Sequence, residues 1–235
     1  MQHADGEILA ARGAERFGVP FTLSTMSICS IEDVAGAVKK PFWFQLYVMR
    51  DRGFAASLIE RAKAAGCSAL VLTLDLQILG QRHKDLRNGL SAPPKWTPKH
   101  MWQMATRPGW CMGMLGTSRR TFRNIAGHAK TAGDLSSLAK WTHEQFDPRL
   151  SWDDVAWIKD RWGGKLIIKG ILRADDAARA EHHRRSTKLG LPMNPPRMLH
   201  RLLLATTLTV MSACSTSPVA EPAGATFVVV RHAEK

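Results

Sequence analysis

Along the first 75 residues the apolar positions switch between a helical period and short unbroken runs, the sequence form of helices alternating with strands. Glu7 to Phe17 places Ala10, Ala14 and Phe17 on one helical face, and Gly18 with Pro20 stops it. Phe21 to Ser24 predicts a short buried strand. Ser30, with Asp33 three positions on, forms a capping-box pattern ahead of Ile31, Val34, Ala35 and Val38, and Pro41 ends that segment. Phe42 to Tyr47 and Ala69 to Leu74 are nearly continuous apolar runs, as expected of strands buried on both faces of a parallel sheet. Between them Leu58, Ala62 and Ala65 mark a helix that Gly66 closes. Units of this kind build either a barrel or a doubly wound sheet through right-handed crossovers.

From Leu76 to about Pro148 the pattern dissolves into Pro, Gly, Lys, Arg and Trp, with Pro93, Pro94, Pro98 and Pro108 among them. So long a connection inside a compact domain reads as a lid or binding excursion. Regularity returns at Ser151, which caps a helix through Asp154 and carries Trp152, Val155 and Ile158. Leu166 to Lys169 predicts a fourth strand, and Ala174 begins a further helix. After about Ala180 the chain turns polar at His182, His183, Arg184 and Arg185, and Pro192, Pro195 and Pro196 break any continuing helix. Arg197 and Arg201 before Leu202 to Val210, followed by Met211-Ser212-Ala213-Cys214, resemble a bacterial lipoprotein signal peptide with its lipobox. This apolar run is too short and too rich in Thr for a spanning helix. Three segments follow: residues 1–180 as the main unit, 181–197 as a junction, and 198–235 as an apolar segment ending in the β-rich run Thr226 to Val230.

The 235 residues, 45% of them apolar, suffice for one sizeable α/β domain or a domain with an appendage, and exclude disorder for most of the chain. A formal charge of +13 leaves open a solvated basic surface, an anionic membrane surface, an acidic ligand or nucleic acid. The basic residues are dispersed, no nucleic-acid signature accompanies them, and there is a single Tyr, so no nucleic-acid partner is expected. Cys29, Cys67, Cys111 and Cys214 lie far apart and form no C-x-x-C pair, which argues against a metal site or a disulfide framework. The first three read as reduced cytosolic thiols, placing the main unit in the cytoplasm.

In a parallel barrel the working side chains sit at the C-terminal ends of the strands. Polar residues fall at those places here: Ser27 after the first strand, Gln45 and Tyr47 at the second, Thr73 and Asp75 at the third, Lys169 at the fourth. Amide and hydroxyl groups suit the edge of a heteroaromatic ring, and a fixed cation suits an electron-rich reduced cofactor. The stretches His3-Ala4-Asp5-Gly6-Glu7, Leu23-Ser24-Thr25-Met26-Ser27, Phe44-Gln45-Leu46-Tyr47, Leu72-Thr73-Leu74-Asp75 and Ile168-Lys169-Gly170 resemble, in order, the FMN-dependent 2-hydroxy-acid dehydrogenases and oxidases, most nearly the respiratory L-lactate dehydrogenases of bacteria.

The resemblance implies a partial (β/α)8 barrel of the TIM type: about four parallel strands, a long inserted loop, and an irregular or helical C-terminal tail. It implies FMN as cofactor, a 2-hydroxy acid such as L-lactate as substrate, a respiratory quinone as electron acceptor, and a homo-oligomer in the full-length family. Ser27, Gln45, Thr73 and Lys169 correspond to flavin contacts. Tyr47 corresponds to the residue that hydrogen-bonds the substrate oxygen, Arg82 to the arginine that meets its carboxylate, and Asp75 to the aspartate that orients the catalytic histidine. The family's base lies in a Ser-Asn-His-Gly-Gly-Arg-Gln stretch, and none of the nine histidines here is followed by two glycines. Turnover by the family's mechanism, and flavin binding without the phosphate-binding strands, are therefore expected to be impaired. The alternatives are a catalytically silent fragment or fusion product whose basic loop and apolar tail meet the inner membrane, or a histidine phosphatase fragment, since Arg231-His232-Ala233-Glu234 resembles the start of one.

Overall fold

A computed structural model describes residues 3–75, 83, 87, 97–126, 145, 147, 149–189 and 227–230. Five strands, β1 (Thr22–Ser24), β2 (Trp43–Tyr47), β3 (Ala69–Thr73), β4 (Lys165–Lys169) and β5 (Phe227–Val230), form one sheet in chain order, and every neighbouring pair is parallel. The helices are α1 (Gly6–Phe17), α2 (Ile31–Ala35), α3 (Arg52–Ala64), α4 (Pro98–Ala105), α5 (Pro108–Gly116), α6 (Arg123–Ala126), α7 (Trp152–Trp162) and α8 (Ala174–Leu189). The expected strands are all present within a residue of their predicted limits. The β-rich tail run adds a fifth, paired in register from Leu166↔Phe227 to Lys169↔Val230.

Period-two alternation divides the sheet into two faces. Leu23, Phe44, Leu46, Leu70, Leu72, Leu166 and Ile168 pack with Ile31, Phe54, Leu58, Ile59, Val155 and Ile158 from the helices into the main core. Trp43, Ala69, Val71 and Ile167 form a smaller cluster on the opposite face. Strands apolar on both sides are what a barrel wall demands, with helices outside and strand side chains within. The architecture is α/β, a partial (β/α)8 barrel.

Local sequence explains the boundaries. Ser30 and Asp33 close a reciprocal capping box, the Asp33 N–H donating to Ser30 Oγ at 3.1 Å and the Ser30 N–H to Asp33 Oδ2 at 2.8 Å. Asp51 caps α3 by accepting from the Phe54 N–H at 2.9 Å. The Arg52 guanidinium then ties α3 to α7, donating to Asp154 Oδ1 at 3.0 Å and to the buried Asp147 Oδ2 at 2.9 Å.

Within 97–126 the structure departs from the expected irregular loop. Pro98 and Pro108 each open a helix: at the first helical position a proline gives up only an N–H that has no intrahelical partner, and its φ is already helical. Thr97 caps the first of them, accepting from the His100 N–H at 3.2 Å. Likewise α8 runs on through the polar stretch after Ala180 to Leu189.

Ile158, fully buried between α7 and the sheet, measures how far the packing matters. Ile158→Ala is expected to lower unfolding free energy by about 2–5 kcal/mol, the usual cost of a core truncation. Urea denaturation followed by circular dichroism reads it, and a loss below about 1 kcal/mol would contradict this packing.

Candidate functional site

The ladder register aligns the strand tips. Tyr47 lies opposite Thr73, and Thr73 opposite Lys169, so the three form one row at the C-terminal edge of β2, β3 and β4. Gln45 sits two residues before Tyr47 and therefore on the same face. Its Nε2 donates to Thr73 Oγ1 at 3.0 Å, and its Oε1 accepts from Ser24 Oγ at 2.8 Å. The amide is thereby fixed in orientation while keeping one hydrogen and one lone pair for another partner.

Lys169 Nζ donates to Asp75 Oδ2 at 2.8 Å, with the lysine side chain 33% and the aspartate 23% exposed. The turn after β4 makes this pairing feasible. Gly170 has φ +98°, and a Cβ there would stand 2.7 Å from Asp75 Cβ, so any side chain would push the carboxylate away from the ammonium. The Leu74 N–H donates to the Lys169 carbonyl at 2.9 Å, closing the two tips together.

Ser27 is held differently. Its buried hydroxyl donates to the Cys29 carbonyl at 2.7 Å and accepts from Asn124 Nδ2 at 3.0 Å. The sequence-predicted residues Gln45, Tyr47, Thr73, Asp75 and Lys169 thus gather at one sheet edge, with Ser27 one loop away. Arg82 lies outside the described residues.

Several contributors were not singled out from the sequence. Ser24 orients Gln45, and fully buried Thr25 stitches β1 to β2 beyond their last ladder pair. The Thr25 hydroxyl donates to the Gln45 carbonyl at 2.7 Å and accepts from the Tyr47 N–H at 3.2 Å. Both lie in the quoted strand-end motif, where adjacent hydroxyls were the available signal. Asn124 had none: it belongs to α6 and reaches Ser27 across 97 positions of sequence.

The return limb of the insertion is pinned by charge. Arg119 pairs with Asp5 and Asp33, each at 3.2 Å, and Arg123 with Asp33 at 3.4 Å. Burial alone would raise the Asp33 pKa, but the Ser30 N–H and the Arg119 guanidinium outweigh it and hold the carboxyl below its usual value. Arg61 grips Glu32 through two 2.8 Å hydrogen bonds, which lower that carboxyl to about 2.

Amide, hydroxyl and ammonium groups thus gather at the C-terminal edge of a parallel sheet, the end at which (β/α)8-type enzymes carry their working side chains. The model of the FMN-dependent dehydrogenase family matches residues 1–185, and the chain belongs to that family, whose cofactor is FMN. L-lactate dehydrogenases from Actinobacillus pleuropneumoniae serotype 5b (strain L20) and Pseudomonas entomophila (strain L48) are 47% and 45% identical over 174 residues, which cover 73% of this chain and 45% of each relative. Among solved structures, the monotopic membrane protein (S)-mandelate dehydrogenase superposes with a TM-score of 0.71 at 32% identity, over 77% of this chain and 48% of its own. A lactate oxidase described as putative, from Pediococcus acidilactici, does so at 0.55 and 26%, over 77% and 41%. The chain spans just under half the length of these relatives.

The donor set fits a flavin. The pyrimidine edge of that ring presents carbonyl oxygens that accept and a ring N–H that donates, which an oriented amide, a hydroxyl and an ammonium can meet.

The Glu32 carboxylate, with its depressed pKa, contributes stability that is complete above the unfolded value near 4.3 and is lost as pH falls through about 2. Between pH 5 and pH 2 the urea midpoint of the parent is expected to fall more steeply than that of Glu32→Gln. Parallel slopes would show that Arg61 does not hold this carboxylate.

Proposed function

We propose that the chain supplies the flavin-facing strand tips of an FMN-dependent dehydrogenase of 2-hydroxy acids, of the L-lactate type. The observation that carries this reading is the cluster of Gln45, Thr73 and Lys169 on one face of the sheet edge: Thr73 and Lys169 share a ladder row, Gln45 lies one pleat below and bonds Thr73, and Lys169 is held by Asp75. FMN, when bound, supplies acceptance of the electron pair from the hydroxy acid. Gln45 and Thr73 would hold the polar edge of the ring, and Lys169 would set a fixed positive charge beside it. Ser27 is assigned to the same site, reached through the loop that Asn124 locks. Tyr47 would hydrogen-bond the substrate oxygen and Arg82 its carboxylate. A respiratory quinone is the proposed acceptor.

Turnover by this chain alone is proposed to be impaired. Asp75 would orient a histidine base in the family's mechanism, and none of the histidines here stands in a His-Gly-Gly setting.

Titrating FMN into the purified chain, followed by flavin absorbance and fluorescence, is expected to show binding that Lys169→Met weakens by about 10–100-fold, the range for one hydrogen bond to a charged group. Protein that stays colourless in excess FMN would remove the cofactor assignment for this chain.

A second reading concerns location: a cytoplasmic protein held peripherally at the inner membrane. Pro108–Gly116 carries no charged side chain, and neither it nor Pro98–Ala105 contains a buried residue. Met101, Trp102, Met112 and Leu115 are exposed, Trp102 by 72%. An apolar helix left at the surface asks for an apolar cover. Residues 97–126 contain Lys99, Arg107, Arg119, Arg120 and Arg123 and no Asp or Glu, which selects an anionic lipid surface as that cover. Arg119 and Arg123 are engaged with Asp33 and Arg120 donates to the Thr117 and Leu115 carbonyls, so Lys99 and Arg107 are the cations assigned to headgroups. The solved mandelate dehydrogenase described as monotopic is consistent with this placement. No helix among the described residues is long and apolar enough to cross a membrane.

Co-sedimentation with phosphatidylglycerol vesicles is expected to fall several-fold for the double variant Trp102→Ser, Leu115→Ser and at high salt. Binding that survives the double variant but is lost on deleting residues 198–213 would move the contact from α4 and α5 to the apolar tail.

A further inference from the structure

The side chain of Asn124 is only 2% solvent-exposed as a residue, and both ends of its amide are engaged. On the acceptor side, Oδ1 receives the Ile31 N–H at 3.0 Å and an Arg61 N–H at 3.3 Å, while the Asn124 main-chain carbonyl receives a second Arg61 N–H at 3.1 Å. On the donor side, Nδ2 reaches Ser27 Oγ at 3.0 Å and the Ser24 carbonyl at 3.4 Å. One amide therefore joins the first residue of α2, the third helix, the end of β1 and the loop beyond it.

The two sides do different work. The acceptor side fastens helices to each other, a structural duty. The donor side acts on the segment that orients the site: Ser24, whose main chain Asn124 touches, directs its hydroxyl onto Gln45 Oε1. Gln45 Oε1 can face Ser24 only with Nε2 toward Thr73, so the direction of the amide follows from where Ser24 stands. Thr25, next in the chain, adds its hydroxyl and its N–H to the Gln45 carbonyl at 2.7 and 3.0 Å. The path from α6 to the strand tips is thus Asn124, Ser24 with Thr25, Gln45, Thr73.

We infer that Asn124, supplied by the return limb of the long insertion, is a positioning residue of the strand-tip site, fixing the orientation of the Gln45 amide through Ser24. This rests on the flavin reading above and deepens it. Ion pairs of Arg119 and Arg123 with Asp5 and Asp33 bring the limb to its place. Asn124 converts that placement into the setting of a side chain on another strand.

Asn124→Asp separates the two duties. Aspartate keeps the acceptors for Ile31 and Arg61 but has no amide hydrogens for Ser27 and Ser24, and its charge faces the Ser24 carbonyl. In the full chain, the side-chain amide resonances of Gln45 are expected to shift while the Ile31 N–H keeps its protection from hydrogen exchange. The FMN dissociation constant is expected to rise about two- to tenfold, the effect of one ordinary hydrogen bond. Asn124→Ala, which buries no charge, serves if the aspartate variant fails to fold, and should move the same Gln45 resonances while also losing Ile31 protection.

Gln45 resonances that stay in place in the variants overturn the inference, whatever happens to the melting temperature. An FMN constant unchanged in a parent that binds FMN overturns it too. If the parent binds no FMN, the cofactor reading fails separately, and the Gln45 resonances alone decide whether Asn124 sets the strand tip.

Discussion

The parallel register of β2, β3 and β4 is the constraint on which the site depends. Because Tyr47, Thr73 and Lys169 occupy one ladder row, their side chains share a face and a height above the sheet. A slip of one residue in any strand would turn its tip from the interior to the helix side and bury a polar group among Leu46, Leu72 and Ile168. The apolar residues between the tips are therefore part of the site's construction: burial of Phe44, Leu70 and Leu166 on the outer face fixes which residues remain inside.

The second dependence is on the insertion. Its described part, residues 97–126, carries polar groups matched to the first third of the chain. Thr117 Oγ1 donates to Asp5 Oδ1 at 2.8 Å, Arg119 spans Asp5 and Asp33, and Asn124 reaches behind β1. Surface ion pairs of this type contribute little singly. Here they converge on Asp33, only 11% exposed at its side chain and already committed to the cap of α2, so helix start and return limb share one carboxylate. The same segment that leaves α4 and α5 outside the core therefore reaches the strand tips at its far end.

How much of this could be read in advance depended on whether the determining interaction was local. Gln45, Thr73 and Lys169 were legible because a strand announces its length in four or five apolar residues and its tip follows. The caps at Ser30 and Ser151 were legible for the same reason, being complete within three positions of sequence. Pro98 and Pro108 misled because proline forbids a helix interior yet favours its first position, and the neighbouring Trp and Met pattern was too short to decide between these. Asn124 was invisible: an asparagine in a short helix carries no periodic or motif signal, and its four polar contacts lie on other elements. The fifth strand was legible as a β-rich run, but not as a partner of β4, because parallel pairing across nearly sixty residues leaves no local trace.

Lys169 and Asp75 show how the arrangement prepares a charged tip. A lone ammonium on a strand end would take up rotamers freely, and placing it beside a ring would then cost side-chain entropy at the moment of binding. Pairing with Asp75 removes much of that freedom beforehand, and Gly170 permits the close approach on which the pairing depends. One of the three ammonium hydrogens is used, so the others remain for a ring oxygen while the cation is held in place. Orientation of the ammonium before any ligand arrives is what makes the strand tips suited to the cofactor-holding role proposed for them.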